Sequence, residues 1–323
     1  MEFNKKIRFD IISEEQFHEK IKKIEKDLDE CRVSGYFSSP DNVKIFYEYF
    51  LCANARANVV IVHGLSEFTK KYYDVAYYFL TQGYNVFLYD QRCHGLSDRL
   101  TEKSELIHVD DFDDYVTDLN VFIDDIVMKV QNKPVFLYSH SMGGAVTCLY
   151  LSRFGHKINR AVLSAPMIEP ATGGTPTFLA RIFMKSEMKK GRAKQQWKFS
   201  HEFNPEHSFK NSSDTSEVRF NYNLNMRREN LCYRSTPMTS GWIYNSLTVK
   251  KKIFEAAKSI GTPLLLLSAQ GDTVVKNNVQ LTFANKCDTC QFVTVKNAKH
   301  SMLSADTAVM SEHLNRVFVF FGG

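Results

Sequence analysis

The chain predicts an α/β fold: a mostly parallel central sheet flanked by helices, interrupted by an inserted, mainly helical region. Three observations predict it. Short apolar runs alternate with helix-period segments along most of the 323 residues. One such run, Val135-Phe136-Leu137-Tyr138, leads straight into Ser139-His140-Ser141-Met142-Gly143-Gly144 and then into helix-forming sequence. The alternation breaks once, between about residues 167 and 258, in a stretch rich in Arg, Lys, Asn, Ser, Tyr and Phe.

Each element has a local reason. Residues 13–31 carry Phe17, Ile21, Ile24 and Leu28 at helical spacing among Glu and Lys, which predicts an amphipathic helix packed on the domain; contact with a membrane is the other use of such a face. Phe37 and Val43 to Leu51 predict an antiparallel hairpin turning at Pro40-Asp41-Asn42. Val59 to Val62 and Asn85 to Tyr89 are strands, separated by a helix over Tyr72 to Thr81 that Gly83 ends. Asp110 to Val130 is a long helix with acidic residues in its first turn, where the helix dipole favours them. After the strand at Val135 to Tyr138, helix continues from Ala145 to Arg153, and Ala161 to Ser164 is the next strand. Beyond the interruption, Pro263 to Ser268 and Phe292 to Val295 are strands, while Lys276 to Asn285 and Thr307 to Phe320 are helices. Right-handed crossovers make the sheet mostly parallel. The domain reading is a core from residues 1–166 and 259–323, with residues 167–258 inserted as a cap over the carboxyl edge of the strands.

The bulk numbers remove other classes. Hydrophobic residues make up 44% of the chain, enough for a large core and too many for disorder. A net charge of +5 gives no case for a nucleic-acid partner. Met1 to Asp10 holds lysines with no apolar stretch behind them, so no cleaved export signal is expected. No apolar run approaches the length of a membrane span. The seven scattered cysteines then read as reduced thiols of a cytoplasmic protein, with peripheral contact at the inner face of the membrane as the lipid-facing option. Cys287-Asp288-Thr289-Cys290 is a lone CxxC between a helix and a late strand, and it lacks the second pair of a zinc ribbon. No metal is expected. No cofactor is implied either, since no phosphate-cradling glycine loop and no HExxH occurs.

The chemistry is carried by the turn around Ser141. A strand that ends in small-X-Ser-X-Gly holds its serine in a sharp bend with Oγ raised above the sheet. The flanking positions must be small, which Gly143 and Gly144 satisfy and Ser139 meets in place of the more usual glycine. An acyl-transfer serine needs a base, a group to orient the base and donors for the oxyanion. Asp272 follows the strand Leu264-Leu265-Leu266-Leu267, and His300 follows Phe292-Val293-Thr294-Val295. Both sit at carboxyl ends of strands, in the order serine, acid, histidine. Asp288 and Asp306 compete with Asp272 but follow no long apolar strand. The backbone N–H groups of Leu65 and Met142 are the expected oxyanion donors, while His63 and His140 are read as structural neighbours.

These residues resemble the α/β-hydrolase superfamily, in particular its branch of monoacylglycerol lipases and lysophospholipases. The resemblance is carried by Val62-His63-Gly64, the loop Asp90-Gln91-Arg92-Cys93-His94-Gly95-Leu96-Ser97, the Ser141 turn, Ser164-Ala165-Pro166, Gly271-Asp272 and Lys299-His300. In the Asp90 loop Cys93 replaces the branch's first glycine. The stretches Asp214 to Asn230, Thr236 to Trp242 and Gly261 to Leu267 are similar to the L2 group of bacterial lysophospholipases. The resemblance implies a serine hydrolase acting on the single acyl ester of a lysophospholipid, with monoacylglycerol lipase or general carboxylesterase as the alternative and a non-catalytic lipid-binding protein as a third.

One local feature suits a lipid. Residues 181–198 carry Arg181, Lys185, Lys189, Lys190, Arg192, Lys194 and Lys198 against the single acid Glu187, interleaved with Phe183, Met184, Met188 and Trp197. Lys189, Lys190, Arg192 and Trp197 are therefore candidates for substrate binding. An aminopeptidase of this fold would need acidic residues there to hold a substrate amine, and this stretch is basic. Dehalogenase and epoxide hydrolase chemistry needs an aspartate where Ser141 stands.

Overall fold

The structure, a computed structural model, describes residues 9–322, so most of the segment read for an export signal lies outside the described residues. The chain opens with helix α1 (Phe17–Cys31) and strands β1 (Val33–Ser38), β2 (Lys44–Phe50) and β3 (Ala57–Val62). Helix α2 (Tyr73–Thr81) and β4 (Tyr84–Tyr89) follow, joined through Gly83 at φ 76°. Next come α3 (Phe112–Phe122), a π turn at Ile123–Val127 and the short α4 (Met128–Val130). Strand β5 (Val135–His140), helix α5 (Met142–Phe154) and β6 (Arg160–Ser164) lead to three helices, α6 (Thr177–Lys189), α7 (Glu217–Glu229) and α8 (Ser240–Ala256). The chain ends on β7 (Leu264–Ala269), α9 (Asn277–Ala284), β8 (Cys290–Val295) and α10 (Thr307–Phe321).

The eight strands form one sheet in the order β1-β2-β4-β3-β5-β6-β7-β8. The hairpin β1–β2 pairs antiparallel, as does β2 with β4, and the remaining pairs are parallel. The expected mostly parallel sheet is therefore present. Its interior strands are buried on both faces, so they read as unbroken apolar runs. Alternate residues serve opposite layers. Val60, Leu137, Leu163 and Leu266 meet Leu119 and Val146 on one face, whereas Val59, Tyr138, Val162 and Leu265 meet Phe79 and Phe318 on the other.

Local chemistry fixes the ends. Asp111 caps α3 by accepting from the N–H of Asp113, and Asp114 answers with its own carboxylate in a capping box. The single helix expected over 110–130 is broken by the π turn, although no Gly or Pro lies in Ile123–Val127. The apolar residues of α1 (Phe17, Ile21, Ile24 and Leu28) are all buried, so that face is used inside the protein. Among the described residues no helix is long and apolar enough to cross a membrane.

The Asp90 to Ser97 loop is a brace. Asp90 accepts from the N–H groups of Thr69 (2.7 Å) and Leu96 (2.8 Å). Arg92 is buried, its Nε and one Nη each donating at 2.7 Å to Asp118 on α3 and another Nη at 2.8 Å to Asp41 in the hairpin turn. Cys93 takes the left-handed backbone at φ 65° that a glycine would adopt without strain.

The stretch between β6 and β7 is mainly helical. Helix α8 packs on α3, α5 and α6, and α7 packs on α1. Arg219 on α7 pairs with the buried Asp74 on α2 and donates to the carbonyl of Ile12 (3.0 Å). Tyr222 lies edge-on to Phe17 at 5.4 Å and donates to Glu25 on α1 (2.7 Å).

Candidate active site

Ser141 occupies the bend between β5 and α5 with φ 50° and ψ −116°, a conformation that side chains other than glycine rarely adopt. The surroundings hold it there. Its N–H donates to the carbonyl of Ser164 (3.0 Å), and its carbonyl accepts from Met167 (2.8 Å) and Gly144 (2.9 Å). A Cβ on Gly143 would lie 2.2 Å from the carbonyl oxygen of Val62, and one on Gly144 would lie 2.6 Å from Cβ of Pro166. The two glycines are therefore demanded by close backbone approach. Ser139 is accommodated because its hydroxyl donates to the carbonyl of Val162 on the neighbouring strand (3.1 Å).

The loops after β7 and β8 deliver the other two residues. Nδ1–H of His300 donates to Oδ2 of Asp272 (2.8 Å), and Nε2 of His300 accepts from Oγ of Ser141 (2.8 Å). The other carboxylate oxygen of Asp272 accepts from the N–H groups of Val274 (2.8 Å) and Val275 (3.1 Å). Burial alone would push the Asp272 carboxyl up. The hydrogen bond and charge of His300, with the two N–H donors, outweigh burial and hold it below its ordinary value. Ser141 and His300 are 6% and 7% exposed, enough to be reached from the cavity that both line. Asp288 and Asp306 lie elsewhere, and Asp306 caps α10 by accepting from Ala308 and Val309.

Leu65 lines the same cavity as Ser141, and Met142 follows Ser141 directly in the chain. Met142 opens α5, where first-turn N–H groups have no intrahelical acceptor. Gly64, just before Leu65, is so close that a Cβ there would lie 3.1 Å from Cβ of Ser141. His63 braces this loop, its Nε2 accepting from the N–H of Gln91 (2.9 Å). His140 packs against His300 with ring centroids 4.9 Å apart, and burial pushes its imidazole down to about 4.

Sequence reasoning missed Glu67. This buried carboxylate accepts from the N–H of Gly64, Nζ of Lys71 and the hydroxyl of Tyr72, each at 2.6 Å. Burial would raise its pKa, but Lys71 and His140 hold it far below the ordinary carboxylate range. Glu67 thus fixes the Gly64 loop at the edge of the same cavity. The one available signal was the i, i+4 spacing of Glu67 and Lys71.

A cavity of about 1180 Å³ opens over Ser141 and His300. Trp197 lines it, packed edge-on to Phe183 at 5.6 Å. Lys189, Lys190 and Arg192 are not among its lining residues. Lys190 and Arg192 instead pair with Glu187 at the end of α6, at 3.1 and 3.2 Å. Cys287 lies between α9 and β8 and Cys290 opens β8; both are free thiols, and neither lines this cavity.

A strained serine between a parallel strand and a helix, in a sheet of this order, defines an enzyme of the α/β-hydrolase superfamily, and the chain is an ester hydrolase of that class. It belongs to the family described as serine aminopeptidase, S33, whose model matches residues 53–307. It is 28% identical over 280 residues to a probable lysophospholipase L2 of Haemophilus influenzae, covering 83% of this chain and 85% of that protein. It is 27% identical over 298 residues to lysophospholipase L2 of Escherichia coli K12, covering 90% and 87%. Among solved structures it is similar to a soluble variant of monoglyceride lipase from Saccharomyces cerevisiae, with a TM-score of 0.69 and 19% identity over 88% of this chain and 93% of that one.

Proposed function

We propose that this enzyme is a lysophospholipase: a serine hydrolase that removes the single acyl chain of a lysophospholipid through an acyl-enzyme. The observation that carries this reading is the unbroken hydrogen-bonded series Ser141–His300–Asp272 beneath a largely apolar cavity. The length and both-way coverage of the likeness to the two L2 lysophospholipases support the substrate class. Ser141 Oγ attacks the ester carbonyl while His300 takes its proton, and Asp272 stabilises the resulting imidazolium. The N–H groups of Leu65 and Met142 receive the oxyanion. His300 then protonates the leaving glycerol oxygen. Water, deprotonated by the same imidazole, releases the fatty acid and restores Ser141.

Residues 167–258 act as a cap in this reading, and Trp197 with Phe183 and Met184 receives acyl chain. The outer side of α6 exposes Phe178 (57%) and Ile182 (61%) beside Lys185, Lys189, Lys190 and Arg192, and this face rests on anionic lipid. Neutralising Lys189, Lys190 and Arg192 is then expected to weaken binding to phosphatidylglycerol vesicles. Unchanged binding removes the membrane role.

The whole reading is tested by turnover of lysophosphatidylcholine, a monoacylglycerol and a short p-nitrophenyl ester side by side, with fluorophosphonate labelling of Ser141. The expected result is labelling and preference for the lysophospholipid. Preference for the monoacylglycerol makes the enzyme a monoacylglycerol lipase with the same chemistry, and absence of labelling removes the hydrolytic mechanism.

A further inference from the structure

The walls of the cavity differ by the element that supplies them. From α6 and the segment after it come apolar side chains, Phe183, Met184 and Trp197. The turn at Thr69–Tyr72 and the region of α7 supply Lys71, Asp214 and Arg227 instead. Two of these three are already compensated. Lys71 donates to Glu67 at 2.6 Å, and Asp214 acts on the same ammonium. Arg227 is not compensated. Its Nε donates to the carbonyl of Tyr233 (3.1 Å), and one Nη reaches the carbonyl of Ser235 (3.5 Å) and the hydroxyl of Thr236. All three acceptors are neutral. Its guanidinium stands 4.6 Å over the ring of Phe203. Among the described residues no carboxylate comes within 4.0 Å of it. Glu105 and Glu67 act on it only from farther away, and burial pulls its guanidinium down to about 10. Arg228, by contrast, is exposed and lies 3.7 Å from Glu206.

A cation partly withdrawn from water without gaining an anion, as half-buried Arg227 is, is unfavourable, and such a site is completed when an anion arrives. The fork of a guanidinium matches phosphate oxygens, and the second Nη of Arg227 has no acceptor among the described residues. We propose that Arg227 is the specificity-determining residue that receives the phosphodiester of the lysophospholipid headgroup. This inference rests on the lysophospholipase reading and deepens it. A glycerophosphodiester carries a single negative charge, and among the described residues lining the cavity Arg227 has no carboxylate within 4.0 Å while Lys71 pairs with Glu67. The neutral glycerol of a monoacylglycerol would leave the guanidinium unpaired, so Arg227 discriminates between the two substrate classes that share the Ser141 chemistry.

The test compares kcat/KM for decanoyl lysophosphatidylcholine and for monodecanoylglycerol, both below their micellar concentrations. Arg227→Gln is expected to lower the ratio of the two by at least about tenfold, through KM, and Arg227→Lys to recover part of it. A ratio unchanged within twofold in a folded Arg227→Gln protein overturns the inference and leaves the ester hydrolase intact. If Arg227→Gln does not fold, the wild-type enzyme decides. An ether analogue of decanoyl lysophosphatidylcholine should inhibit at least about tenfold more tightly than decyl glycerol ether, and equal inhibition overturns the inference. Inorganic phosphate at the same concentration should not inhibit; if it does so as well as the ether lipid, the site takes a free anion and the headgroup assignment fails. Wild-type enzyme that cleaves neither ester and takes no fluorophosphonate removes the lysophospholipase reading, and the role of Arg227 falls with it.

Discussion

At Ser141 the backbone carries strain that the neighbouring backbone holds in place through hydrogen bonds with Ser164, Met167 and Gly144. The nucleophile is therefore aimed before substrate arrives. Ser141→Ala removes the attacking oxygen and is expected to lower kcat by about 10⁴-fold or more with no loss of the folded state, checked by turnover alongside circular dichroism. Asp272→Asn keeps the shape but favours the wrong imidazole tautomer. A drop in kcat of roughly 10³–10⁴-fold with little change in KM is expected from steady-state kinetics. Gly143→Ala brings a methyl to 2.2 Å from the Val62 carbonyl oxygen, so it should displace the bend and abolish fluorophosphonate labelling.

Between elements, two buried carboxylates tie the helices of residues 167–258 to the rest. Glu169, just beyond β6, accepts from Lys250 on α8 and Lys276 before α9, each at 2.5 Å, and from Thr177 at the start of α6 (2.7 Å). Burial would raise its pKa, but these donors outweigh it and hold the carboxyl at about 2. A depressed native pKa means that the stabilisation is complete above the ordinary value near 4.5 and fades as pH falls toward 2. Both lysines are 34–42% exposed, which screens the pairs. Glu169→Gln is then expected to cost about 1–2 kcal/mol at neutral pH, with the gap in urea midpoint narrowing between about pH 5 and pH 3. The second tie is Asp74 with Arg219. Asp74→Ala strands a buried guanidinium and should destabilise by about 3–5 kcal/mol in denaturant titration.

Across the whole molecule, what could be read in advance followed from how far each cause reaches along the chain. The strands at 59–62, 135–138 and 264–267 announce themselves because a sheet buried on both faces makes every residue apolar. Ser141 and Asp272 were legible because each comes just after such a strand, and His300 because it lies on the loop after the apolar run 292–295 at the sheet edge. The Glu67 network and the unpaired Arg227 were not, because their meaning depends on partners brought together by folding. Glu67 needs the Gly64 N–H and His140 beside it, and Arg227 is informative only because no carboxylate among the described residues comes within 4.0 Å of it. The π turn at Ile123–Val127 likewise has no local signal, and neither does the pairing of Lys190 and Arg192 with Glu187 at the end of α6.

Residues 171–176, just before α6, are mostly exposed and include Gly173 and Gly174, both with left-handed backbone and open space around them. A protease nick at that point would leave Ser141 on one fragment and Asp272 with His300 on the other. The parallel ladder from Ala161 to Ser164 against Leu264 to Leu267 would be the seam on which the halves reunite. Two inert polypeptides, expressed separately and mixed, would then regain ester cleavage only on docking, so the enzyme lends itself to a split reporter whose signal is turnover itself.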